Sequence, residues 1–522
     1  MNAPLLSLIT FLPLAGAIVL IFIPREEKRR LYVTAMIFAA AALILSLIMA
    51  VRFDGGEAGP QWVERSAWIG YGIHYHLGVD GISLYLVLLT TVLVPLVLLA
   101  SWSSIRDRIK EYLFFMLLLE TGIIGVFLSL NMFLFYVFWE AALLPMYFLI
   151  GIWGGKRKVY ATTKFVLYTM AGSLLMLVGI FVLQSAFAKA TGTFSLNIFD
   201  LYRLTLSPEA QTWLFLAFGL AFAIKVPLFP FHTWLPDAHV EAPTGASVLL
   251  AAVLLKMGAY GFIRFAFPLF PDAVARFAPG LAVLALIGIL YGGLMALIQK
   301  DVKSLVAYSS VSHMGLILLA IAAWNLESLE GALVQMLNHG LSTGMLFLCV
   351  GFLYERAHTR LIADFGGVSR KMPVFAGLFL IAVLSSIGLP GLNSFVGEIL
   401  CFFGVFAVNR IWAIIAVTTV ILAAAYLLGM FQRVCHGPVK NERVARFKDL
   451  SIRELAIVVP IVVLMFWLGL FPGTLLRKMD ATVTRYVSLV KSREKIFVDA
   501  DQPAAAPNRV GSKNAANAEG HR

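Results

Sequence analysis

The sequence has few charged residues. Only 13% of its 522 residues are Asp, Glu, Lys or Arg, whereas 60% are hydrophobic. Soluble domains carry about 25% charged residues, so a globular core in water could not bury this much apolar surface. The formal net charge of +12 does not indicate nucleic-acid binding, because the basic residues lie in short loops between apolar runs, where they set topology. We therefore predict a polytopic protein whose partner is the lipid bilayer and not nucleic acid.

Sequence motifs for cofactor and metal chemistry are also missing. The chain has no Gly-rich nucleotide fingerprint, no Walker motif and no HExxH zinc helix. Its three cysteines, Cys349, Cys401 and Cys435, do not have the spacing of a metal, iron–sulfur or CxxCH haem site. We therefore predict no metal, no cofactor and no redox catalytic site in this chain, so that redox or ATP energy must come from a partner.

Long apolar runs fill most of the sequence. A membrane-spanning helix needs roughly 20 mostly apolar residues, and this criterion predicts an all-α polytopic membrane protein with about 14 transmembrane helices. The predicted spans are 5–23, 31–51, 82–100, 112–130, 132–153, 160–187, 213–230, 245–267, 281–298, 305–324, 331–354, 373–408, 411–430 and 455–475. The first run has no basic segment before it and no small-residue cleavage site after it, so we expect it to be retained.

The loops predict the orientation. Lys and Arg are concentrated in the loops after spans 1, 3, 5, 9, 11 and 13, for example Arg25 and Lys28. The positive-inside rule places these loops in the cytoplasm, and an even number of spans then places both termini outside. The basic tail conflicts with this orientation, but the short loops are the better guide because each is held close to the bilayer.

Two spans are interrupted. Span 12 is too long for one bilayer crossing, and Gly388-Leu389-Pro390-Gly391 lies at its middle. Span 7 is interrupted at Pro227 and again at Pro230. Proline removes a backbone donor, and a break at membrane depth must face protein or a water-filled cavity. Paired breaks are typical of transport sites between inverted repeats, so we predict two such repeats, spans 4–8 and 9–13.

These features divide the chain into four segments. We predict N-terminal helices 1–3 in residues 1–110, an antiporter-like core of helices 4–13 in 111–433, a loop and helix 14 in 434–476, and a polar tail in 477–522. From Gln502 onward the tail is rich in Ala, Asn, Pro and Gly, and we expect that stretch to be disordered.

Five charged residues stand inside apolar spans: Glu120, Glu140, Lys225, Lys256 and Glu398. A charged residue at the centre of a span costs on the order of 2.5–3.5 kcal/mol on insertion scales, so these groups must have partners or a function. The functional interpretation is a set of proton-binding groups, since a carboxylate that approaches or leaves a lysine changes its proton affinity. Static ion pairs, a lysine that reaches an interface and, for Glu398, a helix cap are the alternatives.

Further polar residues complete the candidate set. His313 and His339 lie inside spans and suit a proton relay because histidine titrates near neutral pH. His232 and His239 follow span 7 and flank Asp237, which could orient a ring or bind water. For Glu120 in span 4, a structural role is the alternative to proton binding.

Three runs resemble one family. They are Ala223-Ile224-Lys225-Val226-Pro227, Trp234-Leu235-Pro236-Asp237-Ala238-His239-Val240-Glu241-Ala242-Pro243-Thr244 and Lys300-Asp301-Val302-Lys303-Ser304-Leu305-Val306-Ala307-Tyr308-Ser309-Ser310-Val311-Ser312-His313-Met314-Gly315. Together they resemble the antiporter-like membrane subunits of respiratory complex I, the proton-translocating NADH:quinone oxidoreductase. Most members carry Lys in the broken span 12, whereas the chain M type, counterpart of mitochondrial subunit 4, carries Glu, as Glu398 does here.

The resemblance implies a role for each buried charge. Glu140 and Lys225 would form the input pair of a proton path, Lys256 would join its two halves, and Glu398 would be the output group. His313 and His339 match polar positions between them, and His232 would support the relay.

The resemblance also implies partners and a location. NADH, flavin, iron–sulfur clusters and quinone would be bound by other subunits, and the partners would be other membrane subunits of complex I, including the other antiporter-like chains. The location would be a bacterial inner membrane. The alternatives are a subunit of an Mrp-type sodium/proton antiporter and an inert scaffold with static ion pairs.

Overall fold

The computed structural model describes residues 4–439 and 441–501, with side chains up to residue 492. The helices are α1 (Leu5–Phe22), α2 (Lys28–Arg52), α3 (Leu84–Ser104), α4 (Ile109–Leu128), α5 (Met132–Trp153), α6 (Lys158–Thr191), α7 (Ile198–Leu201), α8 (Pro208–Lys225), α9 (Trp234–Glu241), α10 (Thr244–Leu249), α11 (Leu255–Gly261), α12 (Phe267–Leu269), α13 (Pro271–Leu297), α14 (Val302–Ala323), α15 (Leu326–Ala357), α16 (Val368–Lys371), α17 (Pro373–Ile387), α18 (Asn393–Val408), α19 (Arg410–Cys435), α20 (Glu442–Ala445), α21 (Ile452–Leu470) and α22 (Gly473–Asp501).

The fold is a helical membrane domain, as predicted. Within the described residues, twelve helices are long and apolar enough to cross a membrane. Three further helices are largely apolar but too short or not apolar enough to meet this criterion: α8, α17 and α18. The predicted count of about fourteen spans and the two inverted repeats stay predictions.

Polar caps fix where several helices begin. Asn131 accepts hydrogen bonds from the Phe133 and Leu134 backbone N–H groups at the start of α5, and Asp301 accepts from Lys303 and Ser304 at the start of α14. Such caps satisfy donors that a helix leaves free at its first turn. The long apolar stretches after them then continue across the bilayer.

The predicted breaks in spans 7 and 12 are confirmed. Helix α8 ends at Lys225, and α9 begins only at Trp234. Helix α17 ends at Ile387, and α18 begins at Asn393. Gly388 and Gly391 between them have φ angles of +83° and +93°, a conformation that glycine adopts without a steric penalty.

Span 8 (Thr244–Leu269) is irregular in a way that the sequence did not predict. Two π-helical segments, Leu250–Leu254 and Phe262–Ala266, lie on either side of α11, and Lys256 is in α11 between them. The most apolar stretch of span 8 is entirely buried, and so is that of α15. These two helices, together with α14, therefore form the centre of the molecule.

A β-hairpin joins α2 and α3. Strand β1 (Gln61–Gly70) pairs antiparallel with β2 (Ile73–Val79). The turn contains Gly70, Tyr71 and Gly72, all with positive φ, which favours glycine. A search for 20-residue apolar runs does not detect strands of this length.

The C-terminal part also differs from the predicted boundaries. The last spanning helix, α21, ends at Leu470, and residues 473–501 form the separate helix α22. Leu475, Met479, Val483 and Tyr486 on α22 are buried, so part of the predicted polar tail is a docked amphipathic helix. The disorder predicted from Gln502 falls outside the described residues.

A buried ion pair connects three distant parts of the chain. Arg264 of span 8 donates to both carboxylate oxygens of Asp80, at 2.5 and 2.7 Å, and to the Tyr486 hydroxyl of α22 at 2.5 Å. Burial opposes the ionised carboxylate, but the Arg264 guanidinium keeps the pKa of Asp80 below its ordinary value. The cluster ties the end of the hairpin and α22 to span 8.

Candidate functional site

Lys225 is held at the break of span 7 among aromatic rings. It is the last residue of α8 and is 1% exposed. Its Nζ lies 5.4 Å from the ring centroid of Trp139 and 5.7 Å from that of Phe165, within cation–π range. Among the described residues, Nζ has no hydrogen-bond partner. Its charge is therefore stabilised weakly and depends on nearby groups.

Glu140 is the nearby carboxylate. It follows Trp139 on α5 and interacts electrostatically with Lys225. Its Oε1 is buried without a hydrogen-bond partner in the described part of the chain. The structure therefore brings the two predicted input residues together without a direct hydrogen bond, so that the pair can strengthen or weaken with small movements.

Lys256 and His339 are in direct contact. The Lys256 Nζ lies 2.7 Å from His339 Nδ1 on α15 and donates to the Ala251 carbonyl at 2.7 Å. Lys256 is 0% exposed and His339 is 3% exposed. Two nitrogen atoms at this distance share one hydrogen, so the geometry suits proton transfer between them.

The contacts continue from His339 to Glu398. The ring centroids of His339 and His313 are 5.7 Å apart, and His313 Nδ1 lies 3.6 Å from Glu398 Oε1. All three side chains are buried. Lys256, His339, His313 and Glu398 thus form a continuous buried row, contributed by span 8, α15, α14 and α18.

Glu398 lies at the break of span 12 and beside a cavity. Its Oε2 packs against Gly388, where a side chain would collide with the carboxylate. A cavity of about 500 Å³ is lined by Gly388, Glu398 and apolar residues of α18 and α19. The carboxylate is therefore the last group of the buried row and borders this mostly apolar cavity.

Sequence reasoning missed the polar residues that surround this row. Gln335 Nε2 donates to Glu398 Oε1 at 3.3 Å, and Tyr426 OH lies 3.4 Å from His313 Nε2. Asn338 donates to the Asn393 carbonyl in the break at 2.7 Å. A signal was present, because Gln335, Asn338, His339 and Ser342 are spaced three and four residues apart and share one face of α15.

The region after span 7 differs in part from the prediction. Asp237 forms an ion pair with Lys164 at 2.8 Å, and it orients neither of the two histidine rings. His232 packs against Phe229 and Tyr291, and His239 stacks on Phe347 at 4.6 Å. The ring nitrogens of both histidines are buried without hydrogen-bond partners among the described residues.

Glu120 is the remaining candidate. It is 0% exposed on α4, and neither carboxylate oxygen has a hydrogen-bond partner in the described residues. No group of three or more His, Cys, Asp or Glu side chains within 4–439 and 441–501 could hold a metal ion. The candidate residues are therefore mostly buried titratable groups within the helical domain.

Two family models match the chain. Residues 129–423 match the model described as NADH:quinone oxidoreductase/Mrp antiporter, TM, and residues 61–136 match that of NADH-ubiquinone oxidoreductase chain 4, amino terminus. The first covers the helices that carry all the predicted proton-binding residues except Glu120. Together they extend from the hairpin to α19.

Curated relatives and solved structures agree with these matches. The chain is 45% identical to NADH-quinone oxidoreductase subunit M of Rhodobacter capsulatus, over 92% of this chain and 96% of the relative. It is 42% identical to NADH-ubiquinone oxidoreductase chain 4 of Arabidopsis thaliana, over 92% and 97%.

A chain of respiratory complex I from Thermus thermophilus matches with a TM-score of 0.85 and 32% identity, over 93% of this chain and 99% of that one. A chain of the Mrp complex from Dietzia sp., at 21% identity and a TM-score of 0.81, shares the fold alone. The chain therefore belongs to the subunit M, or chain 4, family of NADH:quinone oxidoreductases.

Proposed function

We propose that this chain is a proton-translocating membrane subunit of NADH:quinone oxidoreductase. The observation that carries the proposal is the buried row from Lys256 through His339 and His313 to Glu398, with contacts of 2.7 and 3.6 Å at its two ends. Titratable groups are expensive to bury in a membrane, and this chain places four of them in one line.

The input half is the pair of Glu140 and Lys225. Lys225 without a hydrogen-bond partner binds a proton more strongly when the Glu140 carboxylate approaches, and less strongly when it withdraws. A proton taken up here is released toward Lys256 when the pair separates.

The output half begins at Lys256. Its ammonium passes a proton to His339 Nδ1 at 2.7 Å, and a histidine hands on a proton by taking one at one ring nitrogen and releasing it from the other. The proton then passes through a bridging water from His339 to His313. His313 in turn protonates Glu398, whose Oε1 lies 3.6 Å from His313 Nδ1. Glu398, the last group of the row, then releases the proton to water on the outer side of the membrane.

The energy comes from partner subunits. Moving one charge against the membrane potential requires about 2.3 kcal/mol per 100 mV, and in this proposal the redox chemistry that supplies the energy takes place in other subunits. NADH, flavin, iron–sulfur clusters and quinone are bound elsewhere in the assembly. A change of charge at one end of the row shifts the proton affinity of the next group and so transmits the signal.

The proposed setting is a bacterial inner membrane, with both termini on the outer side. The partners are the other membrane subunits of the complex, including its other antiporter-like chains, and the lipid bilayer. The orientation rests on the Lys- and Arg-rich loops after the odd-numbered spans, such as the loop with Arg25 and Lys28.

The test uses the intact complex in native membrane vesicles. We expect Lys225→Ala and Glu140→Gln to abolish most NADH-driven proton pumping. NADH oxidation by a hydrophilic artificial acceptor should continue in both variants, because that activity does not need the membrane subunits. Lys189→Ala, an exposed lysine at the end of α6, is the matched control. Normal pumping in both site variants would contradict the proposal, and sodium-dependent proton exchange without NADH would instead favour an Mrp-type antiporter.

A further inference from the structure

Glu120 is a buried acid that the proton path described above does not use. It is 0% exposed, and both its oxygens are buried without hydrogen-bond partners in the described part of the chain. Glu111, on the same helix, forms an ion pair with Arg25 at 2.6 Å near the helix end. An acid left without a partner at membrane depth is expensive, so a purely structural role does not account for Glu120.

Two contacts fix how α4 lies against span 8. Near the start of both, the Tyr112 hydroxyl lies against Gly245. Farther along, the Tyr260 hydroxyl donates to the Phe127 carbonyl at 3.0 Å, and the two rings pack edge to face. The two contacts are separated by the same number of residues on each helix. Helix α4 and span 8 therefore run in the same direction and have the same register at both contacts.

This register places Glu120 level with Val253, in the first π-helical segment of span 8. Lys256 is three residues farther on, or about 4.5 Å along the axis. The Lys256 side chain points back toward the helix start, because its Nζ donates to the Ala251 carbonyl. The ammonium group is thus at the depth of Glu120.

The rotation of α4 also turns Glu120 away from α5. Gly122 and Gly125 pack against Ala142 and Phe138 of α5. Glu120 is seven residues before Phe127 and lies on the same face as it, since residues two turns apart are aligned. Because Phe127 contacts span 8, Glu120 faces span 8 and not the side of α4 on which α5 packs.

We propose that Glu120 is a second proton donor to Lys256, an inference that rests on the proposed function. The neutral carboxylic acid gives its proton, through one bridging water, to the neutral Lys256 amine. This leaves a carboxylate opposite an ammonium, and the ammonium passes the proton to His339 Nδ1 at 2.7 Å. A hydronium ion from the input side then reprotonates the carboxylate. The titratable groups facing this region include Tyr112, Lys256 and Tyr260.

The test compares Glu120→Gln, Glu120→Asp and Glu111→Gln in the intact complex in native membrane vesicles. Gln keeps the shape but cannot release a proton, whereas Asp keeps the acid. We expect Glu120→Gln to lower the number of protons pumped per NADH, Glu120→Asp to restore most of it, and Glu111→Gln to leave it unchanged. NADH oxidation by the artificial acceptor is expected to stay constant in all three variants.

Infrared difference spectra during turnover provide a second measurement. We expect a carbonyl band from the protonated Glu120 carboxyl group. This band should be lost in Glu120→Gln, shifted in Glu120→Asp and kept in Glu111→Gln. If the Glu120→Gln complex does not assemble, the shift of the carbonyl band in Glu120→Asp tests the inference instead. A wild-type pumping ratio in Glu120→Gln, or an unshifted band in Glu120→Asp, would overturn the inference. Lys225→Ala separates the two proposals, because normal pumping there contradicts the whole proton path.

Discussion

The environments of the buried charges differ between the two halves of the site. Lys256 and Glu398 belong to a row of neighbouring buried groups, in which Lys256 contacts His339 directly. Lys225 instead has aromatic neighbours and no hydrogen-bond partner among the described residues. The sequence identifies these residues because a charge within an apolar run is conspicuous and costly. Gln335 and Tyr426 escape notice because single neutral polar side chains are common in buried helices.

Glu398 offers the sharpest substitution at the scale of one residue. Glu398→Gln keeps the size and the contact with Gln335 but removes proton exchange, so we expect it to lose most NADH-driven pumping. Glu398→Lys keeps a titratable group, and we expect it to retain part of the activity. Protons pumped per NADH in vesicles are the measurement, with the exposed Glu442→Gln as control. Equal pumping by wild type and Glu398→Gln would contradict an output role.

At the scale of elements, the sequence predicted the helices and both breaks but not their local irregularities. Apolar runs and the pairs of Pro and Gly are signals within a few residues of the feature. The π-helical segments in span 8 have no such marker in the sequence; the first of them packs against α3 and α15. The hairpin was not predicted from the sequence, because its outer strand is mostly exposed and has no long apolar run.

The break of span 12 provides a matched pair of glycine substitutions. Gly388 and Gly391 both have positive φ, so Ala at either position costs roughly 1–2 kcal/mol in backbone strain. Only at Gly388 would the added methyl group meet a neighbour, the Glu398 carboxylate, whereas nothing lies within 4 Å at Gly391.

We therefore expect Gly388→Ala to reduce proton pumping far more than Gly391→Ala at similar levels of assembled complex. The measurement is proton pumping normalised to NADH oxidation with the artificial acceptor. Similar pumping by the two variants would show that the position of Glu398 against Gly388 is unimportant.

At the scale of the whole molecule, the Asp80–Arg264 pair joins the hairpin, span 8 and α22. Asp80→Asn leaves the Arg264 charge buried without its carboxylate, which costs roughly 3–5 kcal/mol in such pairs. We expect this variant to lower the temperature at which the complex dissociates and to reduce its assembly. Asp54→Asn, an exposed acid near the hairpin, is expected to change neither. Unchanged thermal stability in Asp80→Asn would refute the structural role of the cluster.

The predicted orientation is testable with single cysteines, because Cys349, Cys401 and Cys435 are all buried. Glu57→Cys lies in the loop after the second span, and Glu26→Cys lies in the loop after the first. In intact cells stripped of their outer membrane, we expect a membrane-impermeant maleimide to label Glu57→Cys only. Glu26→Cys should react after permeabilisation. Labelling of Glu26→Cys alone before permeabilisation would show that the topology is the reverse of the predicted one.

The central claim is that a polar path crosses the membrane domain from Lys225 to Glu398. The output half of this path is a row of contacts, but the link from Lys225 to Lys256 requires bridging groups. The most direct measurement is an experimental structure of the intact complex at a resolution that shows ordered water. The account predicts water molecules that connect Lys225 with Lys256 and bridge His339 to His313. Dry, apolar packing between Lys225 and Lys256 in every conformational state of the complex would contradict it.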